Sequence, residues 1–313
     1  MLEGLKAAIE DILVCPACKG ALSLDNTGIC VDCLRCHRAY PIKDGVLVFL
    51  DDRSVVQAEE RRFRDALAAE YIGSDPNALL EIVAQHHCVP LMQRLAEAFH
   101  ARLKSQEWLL DIGTGFGWHW IEQSEGAKIL GVDMSLGNLS LARQLLGRNN
   151  PRVAFICADA ATLPIRERSI SGLWSVQVFQ HFPPEVLHSV LAELHRVMRD
   201  EFVMELYNLN PALFHRAIYR LFGKRLHCSG KVGPMELTRL AAEEWAAFWR
   251  PFRGGRTQIS CGYSELFFHP DLRIRPRRYP IGLEEALVTK VPRLAALFAR
   301  QVRVRVMSDG QVA

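Results

Sequence analysis

Apolar residues fall in short, nearly unbroken runs from Glu107 onward: "WLLDIG" (108–113), "KILGVDM" (128–134), "VAFICADA" (153–160), "SGLWSVQV" (171–178) and "EFVMELYNL" (201–209). Segments with helical spacing separate them. Strands that are apolar at nearly every position, alternating with helices, predict a parallel, doubly wound α/β sheet, because such strands must be covered on both faces. A last strand is expected at Val302–Met307, "VRVRVM".

The pattern upstream is different. "VVQAEERRFRDALAAEY" (55–71) mixes charged and apolar residues at helical spacing and ends at a Gly73-Ser74-Asp75-Pro76 turn; a second helical stretch runs from Asn77 to Lys104, interrupted by Pro90. Residues 1–50 read as short strands around cysteine pairs, closed by the apolar run Gly45–Leu50 and a polar break at Asp51–Ser54. After Leu209 the periodicity weakens, with helices expected at Pro211–Phe222 and Glu236–Trp249. The chain thus divides into a small cysteine-bearing unit over 1–52, a helical linker and cap over 53–104, and the α/β unit over 105–313, whose carboxyl-terminal part is a helical, arginine-rich insertion.

With 313 residues, 49% of them hydrophobic, the chain can bury a full core. The amino terminus has scattered charges and lacks the shape of a signal peptide, and no window reaches the apolar length of a membrane span, so the expected location is the cytoplasm. Five of the nine cysteines lie within residues 15–36 and four are scattered singly, which favours a metal site in a reducing compartment over disulfides. The net charge of +3 hides an asymmetry, since residues 201–313 hold 18 Lys/Arg against 10 Asp/Glu.

In "WLLDIGTGFGWHWIEQ" an apolar strand ends in Asp111, followed by Gly113-x-Gly115-x-Gly117 and a helix. Glycines let the backbone turn sharply and approach a ligand closely. A dinucleotide fingerprint would put its third glycine where Trp118 stands, and the tighter spacing with a strand-terminal acid suits a cationic, phosphate-free ligand.

On these residues the chain over Glu107–Leu209 resembles the class I S-adenosylmethionine-dependent methyltransferases, of the type 11-like kind, with a Rossmann-like sheet. The resemblance implies that Asp111 lies near the methionine amino group and that Gly113, Gly115 and Gly117 shape the loop. It further implies that Asp133 binds the ribose hydroxyls, Met134 lies against adenine, and Asp159-Ala160 meets the adenine amino group. One departure is Ser171 or Gly172 where the family has an aspartate opening the fourth strand.

The sulfonium is already a good leaving group, so alignment and exclusion of water are the main tasks, and a base is needed only if the acceptor must lose a proton. His181, following the fourth strand, is the first candidate, ahead of Gln177, Glu205, Tyr207 and His119. The Asn/Asp-Pro-Pro-Tyr/Phe motif of amino-methylating enzymes is absent: Ser175–Val178 reads "SVQV".

In the amino-terminal unit, Cys15-x-x-Cys18 puts two thiolates on one turn, and either Cys30/Cys33 or Cys33/Cys36 could complete a tetrahedral site. Internal pseudo-symmetry decides between them. "CPACKGAL" (15–22) and "CLRCHRAY" (33–40) share C-x-x-C, a basic or potentially basic residue, a spacer, Ala and a large apolar residue. The expected ligands are therefore Cys15, Cys18, Cys33 and Cys36 around a structural zinc. This segment also resembles the small zinc-ribbon activator protein that partners tRNA, rRNA and release-factor methyltransferases, in which the second pair likewise precedes Tyr-Pro-Ile-x-Asp-Gly, here Tyr40–Gly45.

The expected function is methyl transfer from S-adenosylmethionine to a small-molecule acceptor. The alternatives are an RNA methyltransferase that grips phosphates with its ribbon and with Arg273, Arg275, Arg277 and Arg278, and a non-catalytic partner of another methyltransferase.

Overall fold

The computed structural model describes residues 3–50, 58–121, 125–146, 150–211, 217, 221, 229–232, 235–270 and 273–309, with the backbone alone for 229–232 and 235–238. The polar break at 51–54 and most of the helix expected over Pro211–Phe222 lie outside the described residues.

The five apolar runs become β5 (Trp108–Ile112), β6 (Lys128–Asp133), β7 (Val153–Cys157), β8 (Ile170–Val176) and β9 (Met198–Leu209). Every residue of β5, β7 and β8 is buried, as their unbroken apolar character requires. They run parallel in the order β7-β6-β5-β8-β9. The expected last strand is β13 (Gln301–Ser308), which pairs antiparallel with β9 on one side and with β12 (Thr257–Ser264) on the other. The order reverses at β5, so the carboxyl ends of β5 and β8 open a crevice between them.

Strand β12 is not anticipated by the sequence pattern. Its alternation is carried only by Ile259, Cys261 and Tyr263 with Gly262 between them, and pairing along all eight residues of β13 supplies what local preference lacks. The helix expected over Glu236–Trp249 is shorter, α7 (Ala242–Trp249), which follows α6 (Pro184–Val197) in the chain, because Met235–Thr238 forms β11 and pairs with β10 (Ser229–Val232). The two upstream helical segments are α2 (Ala58–Ala69) and a pair, α3 (Pro76–His86) and α4 (Val89–His100). The break between α3 and α4 falls at His87-Cys88, and Pro90 occupies the first turn of α4, where no N–H is needed.

The amino-terminal unit joins the same sheet. Helix α1 (Glu3–Asp11) packs against β7, and β1 (Leu22–Leu24), β2 (Cys30–Cys33), β3 (Ala39–Lys43) and β4 (Val46–Val48) form an antiparallel meander. Strand β4 then pairs parallel with β7, Leu47 opposite Ile156 and Val48 opposite Cys157, giving one sheet of eleven strands. The β3–β4 hairpin turns on Asp44-Gly45, both with positive φ (50° and 72°), the turn whose twist matches the flanking strands. One cluster of buried residues runs without a break from Leu5 and Val31 through Ile156 and Leu173 to Val304. Among the described residues, no helix is long and apolar enough to cross a membrane.

Candidate functional site

The loop after β5 holds Gly113, Gly115 and Gly117 at φ of 70°, 55° and 65°, where a side chain is strained. The three serve different ends. A Cβ at Gly113 would run into Val178, and one at Gly117 would lie 2.5 Å from Leu146. At Gly115 it would meet nothing nearer than 4.0 Å, so this glycine leaves an open cradle. The Gly115 N–H donates to Asp133 Oδ2 at 2.9 Å and the Ser135 N–H to Oδ1 at 2.8 Å, binding the loop to the end of β6. Each carboxylate oxygen keeps a further lone pair for a ligand. Burial raises the Asp133 carboxyl above its ordinary range, against the pull of those two N–H groups and of Arg64.

Asp111 lies behind the loop, 1% exposed, its Oδ2 accepting from Trp120 Nε1 at 2.8 Å. Burial pushes its carboxyl up to about 7. His119, buried and stacked on Trp118 with ring centroids 3.8 Å apart, is pulled down to about 3 by desolvation.

At the end of β7, Asp159 caps the short turn Ala160–Thr162, accepting from the Ala161 N–H at 2.8 Å; Ala160 is buried. The Met134 carbonyl accepts from the Cys157 thiol at 3.4 Å, which ties β6 to β7 beside Asp133. Thus Asp133, Met134, Asp159 and the glycine loop share one edge of the sheet.

The loop after β8 reaches the same edge. Gln177 is held at φ 58°, its N–H donating to the Tyr207 carbonyl at 2.7 Å, and Val178 packs on Gly113. His181 ends the following turn, mostly buried, and burial together with Arg64 lowers it to about 4. Glu60 Oε1 approaches His181 Nδ1 at 3.8 Å. Glu60, Arg64 and Asp65 on α2 had no local signal in the sequence, since only packing of α2 brings them here. Asp65 accepts from Ser135 Oγ at 2.6 Å and from the Gly137 N–H at 3.0 Å, seating α2 on α5 (Leu136–Leu146) beside Asp133. Glu205 and Tyr207, by contrast, are drawn into packing: the Glu205 carboxylate accepts from Tyr207 Oη and from Arg305 Nε, the latter at 2.8 Å.

In the amino-terminal unit the thiols of Cys15, Cys18, Cys33 and Cys36 all lie within 4.8 Å of one another, and Cys30 is not among them. The Cys15–Cys36 and Cys18–Cys33 sulfurs are 3.7 and 3.4 Å apart, close to the edge of about 3.8 Å that four Zn–S bonds of about 2.3 Å impose on a tetrahedron. Tyr40 Oη lies 3.1 Å from Cys15 Sγ. Soft sulfur donors in this geometry suit a closed structural metal site.

Comparison with known proteins follows the same division. Residues 109–201 match the methyltransferase domain family and residues 9–45 the Trm112p-like protein family. A malonyl-[acyl-carrier protein] O-methyltransferase of Gallionella capsiferriformans is 26% identical over 163 residues, 49% of this chain and 52% of that protein. A UPF0434 protein of Methylobacillus flagellatus is 42% identical over 50 residues, 16% of this chain and 83% of that protein. A solved S-adenosylmethionine-dependent methyltransferase from Archaeoglobus fulgidus superposes with a TM-score of 0.49 at 15% identity, covering 75% of this chain and 100% of that one. The chain spans about half the length, or less, of the curated methyltransferases it matches. The chain thus carries a methyltransferase domain over residues 109–201, preceded by a Trm112p-like domain over residues 9–45.

Proposed function

We propose that this chain transfers a methyl group from S-adenosylmethionine to a small-molecule acceptor. The observation that carries the reading is the open cradle at Gly115, tied to the Asp133 carboxylate, with Val178 of the loop after β8 packed on the neighbouring Gly113. A backbone this close, with a carboxylate at the end of β6, fits a nucleoside with a cationic tail. Asp133 would accept from the ribose hydroxyls, Met134 lie against adenine, Asp159 accept from the adenine amino group, and Gly113, Gly115 and Gly117 shape the loop around the methionine moiety. Asp111 acts from behind the loop, its charge favoured when an ammonium or sulfonium is near.

Bound there, the cofactor supplies a methyl group on a good leaving group. The chain's own residues position the acceptor and remove its proton. Because His181 is neutral at pH 7, Nε2 can take a proton from the acceptor while Nδ1 faces Glu60. The four thiolates of Cys15, Cys18, Cys33 and Cys36 would hold a structural zinc, which would brace the amino-terminal domain without taking part in transfer.

The test is incubation of the purified chain with labelled S-adenosylmethionine and a fractionated extract. Label in the small-molecule fraction, lost in Asp133→Ala together with cofactor binding, supports the reading. Label confined to RNA or protein, or wild-type chain that fails to bind the cofactor, overturns it. A second reading draws on the exposure of Arg273, Arg275, Arg277 and Arg278: an RNA acceptor. RNA affinity that falls steeply with added salt is its expected sign, and absent or salt-insensitive binding removes it.

A further inference from the structure

Between β12 and β13 in the chain, the helices α8 (Ile281–Lys290) and α9 (Pro292–Phe298) and the segments Leu266–His269 and Ile274–Pro280 line an open cavity of about 730 Å³. It is within the range of about 300–1,000 Å³ that small-molecule sites occupy. Leu266, Phe267, Leu287, Val291, Leu294 and Phe298 line it, while Arg275 and Arg278 contribute the cationic groups of its wall.

The cavity is held open by buried polar groups. Glu284, 3% exposed, accepts from the Leu266 N–H at 2.8 Å, from the Glu265 N–H at 3.1 Å and from Tyr279 Oη, which pins the segment against α8. Asn210, just past β9, donates to the carbonyls of Ala296 and Ala299 at 3.0 and 2.9 Å, anchoring α9 to the same sheet edge that carries the glycine loop. Part of the apolar lining nevertheless faces solvent: Leu294 is 50% and Ile274 44% exposed. Apolar surface of this kind, left uncovered inside a preformed concavity, is costly unless a ligand covers it.

The charges state what kind of ligand. Arg275 and Arg278 are exposed, and neither has a hydrogen-bond or ion-pair partner among the described residues. Guanidinium groups are suited to phosphate or carboxylate. We infer that this cavity binds a single-chain amphipathic anion, the chain against Leu266, Leu287 and Leu294 and the anionic head at Arg275 and Arg278. The inference goes beyond methyl transfer, because binding is expected whether or not the chain is catalytically competent.

Calorimetric titration of the full chain with dodecyl phosphate and dodecanoate, below their micellar concentrations, tests it and separates phosphate from carboxylate heads. One equivalent is expected to bind at least one of the two, with affinity falling about fourfold per methylene removed. Arg275→Glu/Arg278→Glu and Leu294→Asp, all changes at exposed positions, should each weaken it at least tenfold. Dodecyltrimethylammonium should not bind. No saturable 1:1 binding of either anion, equal binding of the cation, or unchanged affinity in the double arginine variant would overturn the inference. S-adenosylhomocysteine titrated against the same proteins reports the cofactor site separately, and its loss from wild type would sink the methyltransferase reading while leaving this one standing.

Discussion

Asp111 is a carboxylate placed where its charge is disfavoured, because desolvation outweighs the Trp120 and Thr114 hydrogen bonds. Its folded pKa of about 7 exceeds the ordinary 3.8, so the folded state keeps a proton that the unfolded state has released. That contribution to stability is complete below pH 3.8 and lost as pH rises to about 7. Asp111→Asn is therefore expected to gain stability relative to wild type as pH goes from 4 to 7, measured by chemical denaturation of the cofactor-free protein; parallel pH profiles would contradict it. The same variant should bind S-adenosylmethionine more weakly, with the largest difference above pH 7. His181 carries the opposite sign: burial lowers it to about 4, so a base role predicts a rate that declines only as pH falls through that region. His181→Gln should lower kcat about 10²- to 10⁴-fold without moving cofactor affinity. In the thiol cluster, Cys36→Ser should lose bound zinc and Cys30→Ser should keep about one per chain, read by metal analysis; the reverse pattern would mean that Cys30 is the ligand.

Among the elements, α2 shows how a site is completed by packing. Locally it is a charged helix with one buried residue, Ala68, and nothing in its sequence marks it as functional. Docked on α5 through Asp65, it carries Glu60 to His181 and Arg64 toward Asp133. Asp65→Ala should cost about 1 kcal/mol, the usual loss for a helix-start cap, and weaken cofactor binding as α2 loosens. Unchanged thermal unfolding and unchanged affinity together would show that α2 needs no such seat. Strands β5 to β9 were legible because continuous apolar runs admit few other structures; β12 was not, because its stability comes from its neighbour.

At the scale of the molecule, the Trm112p-like domain and the methyltransferase domain share a sheet and one cluster of buried residues. Stripping metal from the thiol cluster should therefore lower the unfolding midpoint of the whole chain in a single transition, followed by calorimetry. Two separate transitions, with the larger one unmoved by chelation, would show that the domains are energetically independent. By itself the sequence determined the parallel sheet, the glycine loop with its strand-end acids, and the grouping of Cys33 and Cys36, without Cys30, beside Cys15 and Cys18. Each of these rests on residues close together in the chain, where spacing and backbone sterics act directly. Only the tertiary structure decided that β4 extends the sheet at β7, that Asp111 is buried behind its loop, that Glu60 meets His181, and that an apolar cavity opens beside Arg275 and Arg278. Those depend on surfaces brought together from distant segments, and burial, which sets both their charge states and their packing, exists only once the chain has folded.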